Sequence, residues 1–400
     1  MKLRVTKTER RMLIRILPFF VPLGLVGTSR VLYIGWYLFL GGIMLVNLLQ
    51  FFYNFKLGRH SQSWRLTAFL GLYVFAQCYS TILYRGNWSY TLFKAIYIVI
   101  LCISVQGFID IDWKAFLRVF DAILLISICI STVCEIMGIF NPNGSYVSVY
   151  ISLPVWMTLR IWRNISYGSK RDYLPLIFAV IASITTIIIG RKKGDATGGE
   201  WTFFAELLVI CGVYYGKAFL IYIKKILNPT LLFGSIVLMN LVFVVFQNYN
   251  QIGIIRFILV DIMHKDITFT GRTGIWSFAM GVISRKPILG YGEGMGSFET
   301  RDHWTYFLAK YGAHNQFLQI MLLGGIVSLA FYFLAWVEVW RSLRNSSKWS
   351  SIVLTTGFFA ILIEFTFIYR NLLVCTPLFV LMMLAINLKE VNENAGRQKI

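Results

Sequence analysis

Charged residues are scarce in this sequence, and their scarcity indicates the class of protein. Asp, Glu, Lys and Arg together make up 14% of the 400 residues, whereas a soluble domain typically carries about 25%. The alternation of apolar and polar residues that a transmembrane β-barrel requires is also missing. Instead, 57% of the residues are hydrophobic, and they form blocks of roughly 17 to 25 residues, the length with which a helix crosses a bilayer. The sequence therefore predicts an all-α integral membrane protein.

Motifs that hold nucleotides or metals are missing as well. The sequence contains no phosphate-binding glycine loop, no dinucleotide fingerprint and no zinc-ligand spacing, and its six cysteines form no CxxC pair. The one D-x-D, Asp110-Ile111-Asp112, has no further ligands near it and is interpreted as a solvated loop. We therefore expect no cofactor and no metal.

The net charge of +20 does not indicate nucleic acid. Lys and Arg are spread over short loops between apolar blocks, which is the distribution that orients membrane helices. Basic residues precede the first apolar block, but no A-x-A-like cleavage site follows it, so we interpret it as a retained helix.

Twelve apolar blocks are candidate transmembrane helices. Their approximate bounds are 12–28, 31–53, 66–84, 91–109, 119–140, 147–162, 173–190, 201–223, 230–247, 315–340, 351–368 and 371–388. The block at 147–162 is the weakest, because it is short and contains Pro154. The predicted domains are a bundle of about nine helices (1–247), a long hydrophilic segment (248–314), and C-terminal helices with a tail (315–400).

The distribution of Lys and Arg predicts that both termini are cytoplasmic and that the segment 248–314 is external. One short external loop, Gly190-Arg191-Lys192-Lys193-Gly194, breaks this rule. It is either a tolerated exception to the topology or a set of cations held outside to bind an anion. We prefer the second interpretation, because moving this loop inside would invert every basic loop after it.

The long segment contains patterns of its own. Thr273–Ser284 reads as an amphipathic helix, with Trp276 expected at the level of the lipid headgroups. The stretch 287–298 follows, with four glycines in seven residues that permit positive φ or close approach of the backbone to a ligand. The segment ends at Gly312-Ala313-His314-Asn315, next to the tenth block.

These motifs resemble the C-terminal signature of the O-antigen ligase and polymerase superfamily, which includes the Wzy-type polysaccharide polymerases. The resemblance rests on four ordered motifs: Gly271-Arg272-Thr273-Gly274-Ile275-Trp276, Pro287-Ile288-Leu289-Gly290-Tyr291-Gly292, Ala313-His314-Asn315 and Gly324-Gly325. It covers about residues 185–340. The chain departs from the family pattern where a Ser-Arg is frequent, because Gly190-Arg191 stands there.

The resemblance implies a GT-C-like glycosyltransferase architecture in a bacterial inner (plasma) membrane. The implied donor is a glycan on a polyprenyl diphosphate, transferred with inversion and without a metal to an acceptor hydroxyl. The implied partners are that lipid-linked glycan, the bilayer, and the flippase and chain-length regulator proteins of the same pathway.

The resemblance also implies catalytic roles. Arg272 and Arg191 are expected to bind the diphosphate through their planar guanidinium groups, and Lys192 and Lys193 add positive charge. His314 is expected to be the general base or to orient the acceptor. The alternative for His314 is a helix-start histidine bonded to a nearby carbonyl.

Glu293, in the glycine-rich stretch, is the competing base; otherwise it is a solvated loop carboxylate. The expected substrate contacts come from five further residues: Trp276, Gly290, Tyr291, Gly292 and Asn315.

Charge inside a predicted span is expensive and usually paired or functional, and we single out three carboxylates in such positions. They are Glu135, Glu206 and Glu364, and Glu364 is positioned to pair with Arg370. For each of them we favour a structural pair over catalysis.

Three functions agree with the sequence. The first is polymerisation of lipid-linked repeat units of a surface polysaccharide (O-antigen, capsule or exopolysaccharide). The second is ligation of a finished glycan to lipid A core or another acceptor. The third is a transporter or flippase of lipid-linked glycan, but such folds usually show repeated halves, and the two halves of this sequence do not repeat.

Overall fold

In the computed structural model the described residues form helices joined by turns, without a strand among them. The structure describes residues 6–20, 30–56, 63–136, 146–166, 173–193, 207, 210–212, 228–247, 253–257, 261, 271–294, 308, 312–344 and 349–397.

The helices, in chain order, are α1 Lys7–Ile16, α2 Arg30–Lys56, α3 Trp64–Leu83, α4 Trp88–Ile136, α5 Tyr146–Ser166, α6 Leu174–Lys193, α7 Pro229–Met239, α8 Gly253–Arg256, α9 Arg272–Ile283, α10 Gln316–Arg344, α11 Trp349–Phe367 and α12 Thr376–Arg397. A 3-10 turn, Leu17–Phe19, follows α1, and α7 continues as a π-helix over Asn240–Phe246.

Helix α5 packs against α4, α6, α11 and α12. Every residue from 151 to 159 is buried. A stretch that is buried on every side is covered by neighbouring helices, and the arginines near its end, Arg160 and Arg163, pair with Asp121 of α4. The block at 147–162, the weakest in the sequence, is therefore a helix of the core, with Pro154 inside it.

Helices α2, α3, α6 and α7 leave large apolar side chains exposed, for example Leu45, Phe75, Ile177 and Leu238. In a membrane protein such side chains face lipid. Four of the described helical stretches are long and apolar enough to cross a bilayer: Trp64–Leu83, Trp88–Val133, Pro229–Phe246 and Gln316–Arg344. This finding supports an integral membrane protein, and the number twelve for its spans stays a prediction.

The predicted helix bounds need three corrections. The blocks at 91–109 and 119–140 form one helical run, α4, interrupted at Asp112, where the backbone is extended (φ −158°). Helix α6 runs through Lys193, so Arg191 lies in its last turn and not in a loop. Helix α12 begins only at Thr376, because 368–375 form the turn that carries Arg370. The block at 201–223 lies largely outside the described residues.

The interruption of α4 also explains the D-x-D motif. The side chain of Asp112 accepts a hydrogen bond from the N–H of Ala115 (3.0 Å). A carboxylate three residues before a helical N–H is an N-cap, which pairs a donor that the helix itself leaves unpaired. Asp110 and Asp112 are exposed, and Asp112 begins the second half of α4.

Helix α10 is broken at Gly325, whose φ and ψ are 62° and −164°. The glycine-rich stretch after α9 fills the break. The N–H of Tyr291 donates to the carbonyl of Leu322 (2.7 Å), and the N–H of Ile326 donates to the carbonyl of Pro287 (2.8 Å). The backbone groups released by the break are thus paired by the loop. This pairing holds the loop inside the bundle.

Replacing Gly325 with alanine is expected to destabilise the protein severely. An added Cβ would lie 2.1 Å from the carbonyl oxygen of Ile288, at a φ that disfavours side chains. We expect a loss of more than about 3 kcal/mol, measured by thermal unfolding in detergent. The control is Gly281→Ala in α9, where nothing lies within 4 Å of an added Cβ and helix propensity improves by up to about 1 kcal/mol. Equal unfolding temperatures for the two variants would contradict the prediction.

Candidate active site

Arg272 begins α9 and reaches the end of another helix. One of its Nη atoms donates to the carbonyl of Phe367, the last residue of α11, over 2.7 Å. The final carbonyls of a helix have no partner within it and carry partial negative charge, so a cation is favourable there. This bond fixes Arg272 at the carboxyl end of α11.

Arg370 lies in the turn that follows α11, and its side chain is buried. Its Nε donates to Oε1 of Glu364 over 2.6 Å, and its backbone N–H donates to the side chain of Gln316 over 2.8 Å. The pair of Glu364 with Arg370 is therefore confirmed. The pair holds this turn against the last turn of α11, and the Gln316 contact connects it to the first turn of α10.

His314 precedes α10 and has a left-handed backbone, with φ 49°. This conformation costs roughly 1–2 kcal/mol for a residue with a side chain, and such residues cluster at functional sites. Burial, followed by the positive charges of Arg272 and Arg370, lowers the pKa of His314 to about 4. The imidazole is therefore neutral at physiological pH and can accept a proton.

The positive charge of this group exceeds its negative charge. Within the described part of the chain, Arg370 pairs with Glu364, whereas no ion pair joins a carboxylate to Arg272. Burial and the neighbouring charge of Arg370 lower the pKa of Arg272 to about 10. Two guanidinium groups and one carboxylate leave a net positive site, which an incoming anion such as a diphosphate would neutralise.

Asn315, next to His314, is fully buried and its amide faces protein. It donates to the side chain of Asn240 (2.9 Å) and to the carbonyl of Thr366 (2.7 Å). Its Oδ1 accepts from the N–H of Leu318 (2.8 Å), which makes it the N-cap of α10. These contacts anchor the residue beside His314, and they occupy the amide that was expected to bind sugar.

Two of the anchoring residues, Asn240 and Thr366, were not predicted from the sequence. Nδ2 of Asn240 donates to the hydroxyl of Thr366 (3.0 Å), which closes the network around Asn315. Asn240 is the first residue of the π-helix, a distortion that is frequent at functional sites. An isolated Asn in an apolar block was the only signal in the sequence.

The predicted cations Arg191, Lys192 and Lys193 end helix α6, but their side chains lie outside the described residues. Glu206 also lies outside them, as does the side chain of Glu135. Of the residues predicted for the site, the structure thus brings Arg272 and His314 close enough for their charges to interact. It places Arg370, which was not predicted as a site residue, in the same cluster.

The glycines of the loop contact protein backbone. An added Cβ would lie 2.6 Å from the carbonyl of Leu322 at Gly290, and 2.4 Å from the Cα of Thr81 at Gly292. Both glycines have positive φ, as expected. Helix packing therefore accounts for these two glycines without a ligand.

Trp276 is fully buried, among the apolar side chains of α9, α10 and the loop. Its ring lies 6.5 Å from that of Phe367. Trp276 therefore contacts protein and not lipid headgroups, because its face of α9 packs on the bundle. Tyr291 is also buried, and its hydroxyl donates to the carbonyl of Val282 (3.1 Å). The predicted helix itself is confirmed as α9.

Glu293 is not a solvated loop carboxylate. Its Oε2 forms an ion pair with the ammonium of Lys94 and accepts from the hydroxyl of Thr91 (3.2 Å). Lys94 is almost completely buried. A charged residue inside an apolar block was the sequence signal for Lys94, but no partner for it could be assigned.

An apolar bundle with helices long enough to cross a bilayer supports an integral membrane protein, and its buried cationic cluster is a candidate site for an anion. The family described as O-antigen ligase (Wzy_C) matches residues 196–333. The match supports the O-antigen ligase and polymerase superfamily and a role of that type in polysaccharide biosynthesis, so the resemblance is confirmed for this part of the chain. It includes Arg272 and His314, whereas Lys94, Arg191 and Arg370 lie outside it. No curated protein and no solved structure matches the chain.

The low pKa of His314 predicts a pH dependence of stability. In the unfolded chain a histidine titrates near pH 6.5, whereas in the folded protein His314 titrates at about 4. The contribution of His314 to the free energy of unfolding is therefore fully present above pH 6.5. It is lost as the pH falls towards 4, because only the unfolded chain binds the proton in that window. We expect the unfolding temperature of His314→Gln to depend less on pH between 6.5 and 4 than that of the wild type. Parallel curves for the two proteins would contradict the prediction.

Proposed function

We propose that this protein is a membrane glycosyltransferase that polymerises polyprenyl-diphosphate-linked repeat units of a bacterial surface polysaccharide. The observation that carries the proposal is the cluster of Arg272, Arg370 and neutral His314 at the carboxyl end of α11. This cluster combines anion-binding groups with a base. The family match supports the same class of reaction.

In the proposed reaction the acceptor hydroxyl oxygen bonds to the anomeric carbon of the donor. The bond from that carbon to the diphosphate oxygen breaks, and the diphosphate leaves with the electron pair. The proton of the hydroxyl passes to His314, which is neutral and able to accept it. Inversion at the anomeric carbon follows from a single displacement.

Arg272 binds the diphosphate and offsets its charge as it leaves. Arg191 is proposed to bind the same group, with Lys192 and Lys193 adding to the positive field. Because its carboxylate is engaged by Lys94 and Thr91, Glu293 is a weaker candidate for the base than His314.

The leaving group is already activated, so the proposed reaction requires no metal. Among the described residues, His, Cys, Asp and Glu form no cluster of three or more that could hold a metal ion. We propose that the protein lies in the inner (plasma) membrane, with both termini cytoplasmic and the segment 248–314 outside. Its proposed substrate is the lipid-linked glycan displayed on that side.

A second candidate is ligation, because the matching family is described as O-antigen ligase. The same displacement would then transfer a finished glycan to lipid A core or another acceptor. The two functions differ in the acceptor and share the donor site.

The test is transfer by the purified protein in nanodiscs, with the lipid-linked repeat unit of the host's own surface glycan and a chelator. A ladder of products on a gel is expected for a polymerase. A single transfer that appears only after a non-repeat acceptor is added would replace polymerase with ligase. Movement of the intact lipid-linked glycan across the bilayer, with no transfer to any acceptor, would overturn both in favour of a transporter.

A further inference from the structure

The buried pair of Lys94 and Glu293 lies outside the cluster of Arg272, Arg370 and His314. The side chain of Lys94 is 2% exposed and that of Glu293 is 16% exposed. Lys94 lies in α4, in a stretch apolar enough to span the membrane, where a charge is costly. A buried ion pair is often no more stabilising than apolar residues of the same volume, so stability alone does not explain it.

The pair fixes the end of the glycine-rich loop to helices α3 and α4. Besides the ion pair, the N–H of Glu293 donates to the hydroxyl of Thr81 (2.8 Å). Its carbonyl accepts from the N–H of Asn87 (2.9 Å). Glu293 is therefore held through its backbone and its side chain by the first third of the chain.

The pair also reaches the turn that carries Arg370. The ammonium of Lys94 lies 4.6 Å from the ring centroid of Tyr90, a cation–π contact. The hydroxyl of Tyr90 accepts from Nδ2 of Asn371, the residue after Arg370, over 3.5 Å. One side of this turn is thus tied to α4 close to the ion pair.

The other side of the same turn touches the segment of His314. A Cβ added at Gly312 would lie 2.9 Å from the ring of Tyr369, so this ring packs directly on the backbone two residues before His314. The turn Tyr369-Arg370-Asn371 therefore carries one cation of the cluster, and it contacts both the surroundings of the Lys94–Glu293 pair and the segment of His314.

We propose that Lys94 and Glu293 are positioning residues for the transferase site. The ion pair holds the glycine-rich loop and the Tyr369-Arg370-Asn371 turn against α4, and this holds Arg370 and His314 in place during transfer. The inference rests on the proposed function for its kinetic consequence, whereas its structural consequence can be measured without catalysis.

The test compares Lys94→Met and Glu293→Gln with wild type in the transfer assay and in amide hydrogen exchange. Displacing a catalytic group by about 1 Å can cost a hundredfold in rate, so we expect kcat to fall by about tenfold to a hundredfold. We expect KM to change less than about threefold, because the diphosphate ligands themselves remain. Exchange is expected to accelerate at the amides of Arg370 and Ala313, which donate to side chains of α10.

Two further variants guard against misfolding and against an effect of charge removal alone. The double variant Lys94→Met/Glu293→Gln leaves no unpaired buried charge, and we expect its kcat to equal that of the single variants, since both belong to one interaction. Lys114→Met is the matched control, because Lys114 is an exposed lysine on the same helix whose ammonium lies 5.6 Å from the ring centroid of Trp113. We expect it to leave kcat and exchange unchanged.

The inference is overturned if a folded Lys94→Met protein has the kcat of wild type. It is also overturned if exchange accelerates only at Glu293 and not at Arg370, since the pair would then act locally. If the wild type transfers no glycan at all, the proposed function fails, and exchange at Arg370 alone decides the inference.

Discussion

Arg272→Ala is expected to lower kcat/KM for glycan transfer by at least about a hundredfold, with little change in the unfolding temperature. Among the described residues its guanidinium pairs with no carboxylate, and it lies close enough to Arg370 for that charge to lower its pKa. Removing one of two neighbouring cations relieves their repulsion, which offsets the loss of the bond to Phe367. The proposed diphosphate site, in contrast, loses Arg272, whereas the remaining cation, Arg370, is paired with Glu364.

Arg272→Lys separates charge from geometry. Lysine keeps the charge but loses the planar fork that contacts two phosphate oxygens at once, so we expect an intermediate loss of about tenfold. The control is Arg285→Ala, because Arg285 is exposed just beyond the other end of α9, and its removal is expected to leave transfer unchanged. Equal losses at Arg285 and Arg272 would mean that general surface charge, and not this site, attracts the donor.

His314→Gly is expected to lower kcat by about a hundredfold to ten-thousandfold, the usual contribution of a general base. Glycine adopts the positive φ of this position without cost, so this variant removes the imidazole and keeps the backbone. His314→Asn is a second test, since asparagine tolerates the left-handed region and carries no base. Full activity of either folded variant would exclude His314 as the base.

The pH profile of the wild type provides an independent check on the base. A base with a pKa of about 4 stays neutral through the mildly acidic range, so kcat/KM is expected to reach half its maximum near pH 4 and not near 6.5. The acid limb of the kcat/KM profile reports the pKa of the base in the free enzyme, in which Arg272 and Arg370 act on the imidazole without a bound anion. An acid limb centred near 6.5 would indicate a different base or an exposed histidine.

Much of the helical framework followed from the sequence, because apolar blocks of spanning length have few alternatives to helix in lipid. Helix α9 and the pair of Glu364 with Arg370 were predicted because both depend on residues close together in the chain. The ordered motifs indicated the family for the same reason, since each motif is a local string. Arg272 and His314 were predicted through that resemblance.

Tertiary contacts decided the rest. Lys94 and Glu293 are separated by about half of the chain, and only the packing of the loop on α3 and α4 brings their charges together. The amphipathic pattern around Trp276 is the same for a helix that faces lipid headgroups and for one that packs on protein. Only the packing of α9 shows that Trp276 faces protein. The break at Gly325 leaves backbone groups of α10 free to pair with the glycine-rich loop. No local sequence pattern predicts these hydrogen bonds.

The sequence by itself therefore determined the class of fold, most helices and the candidate residues of the site, because hydrophobic length and local motifs act over short stretches. The tertiary structure decided which of these residues meet, which are buried, and which charges are neutralised, because burial and charge pairing depend on distances between segments far apart in the chain. Among the residues that the structure describes, the excess of positive charge around Arg272 is a consequence of that arrangement.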